Sequence, residues 1–168
     1  MPQSAPANLD TAVVEGFGQQ WHVFDQSGAS STVERSDFES YFSTFRWDLV
    51  NEKSEGFDMG CGTGRWDKYI APRVGKLHCI EPSSAIDVAK RMLSSFSNIE
   101  YHRAGLSDRV LPANSMDFGV CLGVLHYVPD AAAGIKSCVE MLKPGAPLVV
   151  YIYYRFDNRP FWFRGIWR

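Results

Sequence analysis

The stretch FDMGCGTG, Phe57 to Gly64, runs a short apolar strand directly into three glycines at alternate positions. Glycine costs conformational entropy in regular structure and belongs where φ is positive or where backbone must approach another group closely. A strand ending in such a turn and followed by RWDKYIAPRV, with Trp66, Tyr69 and Ile70 on one helical face, reads as strand, ligand-facing loop and helix. Pro72 ends or bends that helix.

The rest of the chain repeats the alternation. KLHCIEP is a second strand. Ser84 and Asp87 stand at capping-box spacing ahead of a helix carrying Ile86, Ala89, Met92, Leu93 and Phe96. IEYHRAG is a third strand and MDFGVCLG a fourth. Asp130 caps a helix whose Ile135, Cys138, Val139 and Leu142 share a stripe, and Lys143, Pro144 and Gly145 stop it. PLVVYIYY is a fifth strand. Strands alternating with helices imply right-handed crossovers and an α/β fold: a Rossmann-like, doubly wound, mainly parallel sheet with helices on both faces. Ligands of such sheets bind beyond the carboxyl ends of the strands, where the glycine turn lies. Ahead of this core, the N-terminus reads as a mobile leader through about Ala29 and then a helix or two in DFESYFSTFRW. The division expected is 1–54 leader and cap helices, 55–154 core and 155–168 a basic, aromatic C-terminal segment.

With 168 residues, 45% hydrophobic and 14% aromatic, the chain can bury an ample core; a formal net charge of −2 gives no basic face for nucleic acid. No run is long and apolar enough to span a bilayer and MPQSAPANLD lacks the pattern of a secretory signal, so the expected location is the cytoplasm. Cys61, Cys79, Cys121 and Cys138 show no C-x-x-C pair and no nearby histidine spacing for zinc, so reduced thiols and no metal are expected.

Gly60, Gly62 and Gly64 form G-x-G-x-G, whereas dinucleotide sites favour G-x-G-x-x-G. Glu81, at the end of the second strand, is placed to accept hydrogen bonds from ribose hydroxyls. Together they point to a nucleoside with a free ribose diol.

In this order, FDMGCGTG, LHCIEPS, LPANSMDFGVCLGVLHYVPD and LKPGAPLVVYIYY resemble the successive motifs of class I S-adenosylmethionine-dependent methyltransferases, in their small-molecule, type 11-like branch. The resemblance covers about Gly56 to Tyr154. It implies strand order 3-2-1-4-5 and S-adenosyl-L-methionine as cofactor, with S-adenosyl-L-homocysteine as product. It also implies that Gly60, Cys61, Gly62 and Gly64 pass under the methionine part and that Asp58 lies near the ammonium end. Glu81 would hold the ribose, Pro82, Ser83 and Leu106 would border the adenine, and Leu122 and Gly123 would lie beside the sulfonium. Relatives often carry Gly-Asp-Ala before LP; this chain has AGLSDRVLP, which puts Asp108 out of register.

His126 in GVLHYVP stands near the expected transfer centre, either as a general base or as a turn-stabilising or wall residue. Cys61 and Cys121 read as packing residues. Trp21 and Phe24 form a lid or dock on the sheet. The C-terminal RFDNRPFWFRGIWR mixes arginines with aromatics that suit an anionic or lipid-like substrate, or a membrane surface. No room is left for strands six and seven of the resembled family. That implies a truncated chain or, second, a homodimer through the exposed fifth strand. The acceptor expected is a small molecule methylated at O, C or N, and the motif after the fourth strand lacks the marks of DNA methyltransferases. A noncatalytic cofactor-binding or assembly module is the alternative, and a nicotinamide-dependent oxidoreductase a third reading.

Overall fold

A computed structural model describes residues 8–23 and 31–153. Helices α1 (Thr11–Val23) and α2 (Ser31–Tyr41) precede a core of β1 (Glu55–Met59), α3 (Asp67–Ile70), β2 (Lys76–Ile80), α4 (Ala85–Met92), β3 (Ile99–His102), β4 (Phe118–Leu122), α5 (Ala131–Met141) and β5 (Leu148–Tyr151). The five strands form one sheet in the order β3-β2-β1-β4-β5, every pair parallel, as the sequence predicts. The C-terminal segment from residue 154 onward and Phe24 lie outside the described residues, and with them those expectations. Among the described residues no helix is long and apolar enough to cross a membrane.

β1, β2 and β4 are buried along nearly their whole length, which is how a parallel strand covered on both faces must read. Side chains then divide by the period of two. One layer gathers Leu77, Cys79, Phe118 and Val120 against Phe38 and Phe42 of the α2 region, Ile70, and Ile86 and Ala89 of α4. The other gathers Phe57, Met59, Ile80 and Cys121 against Leu125 and against Cys138 and Met141 of α5. Phe57 and Phe118 are fully enclosed, each worth about 1.5–3 kcal/mol over exposure.

Four local expectations are corrected. The leader contains a helix: Asp10 accepts hydrogen bonds from the N–H groups of Ala12 and Val13 at 3.0 and 3.2 Å and so caps α1, which Phe17 ties to the core by an edge-on contact with Tyr127. The helix after the glycines is a single turn, because a 3-10 turn, Ala71–Arg73, follows at once with Pro72 inside it. The Ser84–Asp87 capping box does not form; Ser83 Oγ instead accepts from the Ala85 N–H at 3.1 Å. The apolar stripes are narrower than read: Met92 and Val139 are 42% and 52% exposed, and α5 buries Gly134, Cys138 and Met141. Asp130 caps α5 as expected, accepting from the Ala133 N–H at 2.9 Å.

Candidate functional site

The glycine turn is stapled to the end of β2, since the N–H groups of Gly60 and Cys61 both donate to the Ile80 carbonyl, at 2.7 and 3.2 Å. Gly60 has φ +79°, and a Cβ there would lie 2.2 Å from Val124 Cγ2. Gly64 has φ +78°, and its Cβ would meet Leu93 Cδ1 at 2.5 Å. The first glycine lets the chain turn beneath the β4 loop, and the third lets it pack on α4. Between them, the Gly62 N–H donates to Glu81 Oε2 at 3.2 Å, while the Ser83 N–H donates to Glu81 Oε1 at 2.9 Å. Glu81 is thus held by two backbone donors at the carboxyl end of β2.

These loops open on a cavity of about 280 Å³ beyond the carboxyl ends of β1, β2 and β4, just under the usual range for small-molecule sites. Of the residues predicted for the site, Asp58, Gly60, Cys61, Gly62, Glu81, Pro82, Leu106, Leu122 and Gly123 line it. Gly64, Ser83 and His126 do not. Gly64 and Ser83 act through packing on α4 and through the hydrogen bond to Glu81. The His126 ring lies between Tyr127 and Tyr153, with centroids 4.0 and 4.2 Å away, and its nitrogens are buried without a hydrogen-bond partner among the described residues. Burial lowers its pKa, which keeps the ring neutral. Asp108 folds back on its own loop: Oδ2 accepts from the Gly105 N–H at 2.7 Å.

Behind the turn lies a group that the sequence reading missed. Asp67, the first residue of α3, is fully buried, and the Cys79 thiol donates to its Oδ2 at 3.2 Å. Burial pushes Asp67 up to about 6, against the opposing pull of Cys79 and Asp58. Burial, and then the charge of Asp67, hold Asp58 well above the ordinary carboxylate range. Two carboxyls in one dry space share a proton rather than both ionise. An acid opening a helix ordinarily reads as a solvated charge favouring the dipole; only Cys79, in the facing strand, hints otherwise. A hydrogen bond with Cys79 favours the Cys61 thiolate, but burial and the carboxylates around it push Cys61 up to about 12, so this thiol is a packing group and no nucleophile.

The remaining walls come from the N-terminal segment and from aromatics. Leu9, Val13, Phe17 and Trp21 face the cavity from α1 and its lead, and Tyr41, Trp66, Tyr127, Tyr151 and Tyr153 line it from the core side. Tyr41 meets Tyr151 edge-on at 4.8 Å, and the Arg65 guanidinium stacks over Trp66 at 4.2 Å. Asn8 fastens the segment: its side chain donates to the Asp130 carbonyl at 2.6 Å and accepts from the Asp130 N–H at 2.8 Å.

Comparison with known proteins agrees with this geometry. The ubiquinone biosynthesis O-methyltransferase of Hahella chejuensis is 31% identical over a match of 111 residues that covers 61% of this chain and 47% of that protein. The demethylmenaquinone methyltransferase of Bacillus licheniformis is 31% identical over 108 residues, 60% of this chain and 45% of that one. The chain thus spans less than half the length of these curated relatives. A crystal structure of a SAM dependent methyltransferase from Aquifex aeolicus superposes with a TM-score of 0.65 at 20% identity, over 77% of this chain and 70% of that one, which shows a shared fold. Residues 57–150, more than half of the chain, match the family described as a methyltransferase domain, and to that family this chain belongs.

Proposed function

We propose that the chain binds S-adenosyl-L-methionine in the cavity at the carboxyl ends of β1, β2 and β4, and directs its methyl group to a small-molecule acceptor by in-line displacement. The observation that carries this reading is Glu81, a carboxylate fixed by the Gly62 and Ser83 amides at the cavity wall with oxygen lone pairs still free for a ribose diol. The residues present fit the cofactor. Gly62 has nothing nearer to the position of its missing Cβ than Trp21 Nε1 at 3.9 Å, which leaves a cradle for the methionine part. Asp58 offers a carboxyl to its ammonium, and Pro82 and Leu106 offer apolar walls to the adenine.

When bound, S-adenosyl-L-methionine supplies a methyl group already activated on a sulfonium, so no covalent enzyme intermediate is needed. The chain's own part is to orient and to exclude water. Gly60 to Thr63 and Glu81 fix the donor end, and Leu122 and Gly123 border the transfer centre. Leu9, Val13 and Phe17 cover the cavity from α1 and its lead and keep solvent out. The wall of Tyr41, Trp66, Tyr151 and Tyr153 supports a planar aromatic acceptor, a class consistent with the quinone pathways in the relatives' names.

Calorimetric titration with S-adenosyl-L-homocysteine tests the reading, with NAD and Glu81→Ala as controls. Saturable binding by the wild type, at least tenfold weaker in Glu81→Ala and absent for NAD, is expected. A folded wild type that binds NAD in preference overturns it. Product formation on phenols and catechols then tests the acceptor class; binding without turnover on any acceptor favours the noncatalytic module.

A further inference from the structure

The sheet face that carries Phe57 and Ile80 also carries a polar cluster toward the β3 edge, none of whose side chains lines the cavity. Period-two alternation sends Glu55 of β1, Lys76 and His78 of β2, and Glu100 and His102 of β3 to this side, and the parallel register sets His78 opposite Glu100 and Ile80 opposite His102. His78 is only 4% exposed. Its Nε2 lies 2.8 Å from Glu55 Oε1 and its Nδ1 lies 2.9 Å from His102 Nε2. A carboxylate only accepts, so Nε2 of His78 is the donor in that pair, and Nδ1 is the nitrogen that faces the space shared with His102 and Glu100. Glu100 Oε2 is 3.9 Å from His78 Nδ1, and Oε1 is 3.6 Å from His102 Nε2.

Between the proposed donors, the separations of 2.9 Å from His78 Nδ1 to His102 Nε2 and 3.6 Å from His102 Nε2 to Glu100 Oε1 bracket the spacing of about 3.3 Å between donors of a tetrahedral zinc ion with bonds of about 2.0–2.1 Å. The donor atoms of His78, Glu100 and His102 all fall within 4.8 Å of one another. We infer that His78, His102 and Glu100 form a Zn²⁺ site, with water as fourth ligand, that pins the outer strand β3 to β2.

Two features favour this beyond proximity. Glu55 supplies the carboxylate that orients a metal-binding imidazole through its other nitrogen. Lys76 Nζ holds Glu100 Oε2 at 2.7 Å, which leaves Oε1, the oxygen facing His102, for a single bond to the ion. Two imidazoles and a carboxylate suit zinc, with Cu²⁺ and Ni²⁺ as competitors by intrinsic affinity. Spacing along the sequence hides the site, because adjacent strands rather than one segment bring the ligands together.

The test uses the whole untagged chain, stripped of metal by a chelator. Titration with Co²⁺ is expected to give the visible bands of a four-coordinate ion, which Zn²⁺ abolishes. His102→Gln lowers Zn²⁺ affinity at least a hundredfold with unchanged circular dichroism, and Glu55→Gln lowers it about 10–100-fold. Zn²⁺ raises the Tm of the wild type and not that of His102→Gln. Glu100→Gln, at a half-exposed side chain, gives the same loss should His102→Gln fold poorly. The inference is overturned by a wild type without Co²⁺ bands, or by equal Zn²⁺ affinity in the wild type and both ligand variants. A sulfur-to-cobalt charge-transfer band also overturns it, since that would place the ion on the buried Cys61, Asp67 and Cys79.

Discussion

At the scale of single residues, the protonation of Asp58 and Asp67 links the glycine turn to pH. Both carboxyls titrate above their ordinary value of 3.8 in the folded chain, Asp67 at about 6, because burial disfavours their charged forms. The folded state therefore binds protons that the unfolded state releases. The resulting stability is fully present below about pH 4 and is lost as the pH rises through about 6. Urea denaturation of the wild type should show this decline, and Asp67→Asn, neutral throughout, should flatten it by on the order of 2 kcal/mol between pH 4.5 and 8. Parallel profiles for the two proteins would show that Asp67 is ionised in both states. His126 makes a contrasting case. With its ring between two tyrosines and outside the cavity lining, His126→Phe should keep kcat within about threefold across pH 6 to 9. A loss of 10²-fold or more, with a vanished limb of the pH profile, would make the imidazole a general base.

Elements differ in how plainly the chain announces them. β1, β2 and β4 were legible as short, mostly apolar runs cut off by turn residues, since a parallel strand is covered on both faces, and α5 was legible because Asp130 does cap it. Glu81 and most of the glycine turn reach the cavity, as their place at strand ends requires. What stayed hidden depends on partners distant in sequence. α1 is held by Tyr127 and by Asn8 on Asp130, and Asp67 is buried by β2. The His78 cluster exists only once three strands are in register. The glycine turn itself yields an element-scale prediction. Gly60→Ala incurs a left-handed backbone cost of about 1–2 kcal/mol and overpacking against Val124 of about 1–3 kcal/mol. Guanidinium unfolding should report the sum, and Val124→Ala should return the overpacking part as a favourable coupling in a double-mutant cycle. Strict additivity would mean that Val124 is not what the new methyl meets.

For the whole molecule, the question is what the N-terminal segment does for a core that already has its sheet. Residues 8–23 add few strand-like or core contacts: α1 meets α4, where Gly18 lies against Ser84, and Phe17 meets Tyr127. Its apolar side chains mainly face the cavity, and its polar ones hold it in place, through Asn8 on Asp130 and the Asn8 N–H on Ser107 Oγ at 3.1 Å. A segment built this way contributes to enclosure of the ligand more than to stability of the sheet. Removal of residues 1–23 should therefore leave a cooperative unfolding transition and raise the Kd for S-adenosyl-L-homocysteine at least tenfold. Asn8→Ala should have a smaller effect in the same direction, because the helix then spends part of its time undocked. Unchanged binding after the deletion would mean that α1 merely rests on the sheet. Loss of the unfolding transition would instead make α1 part of the core, with Phe17 and Trp21 as core residues.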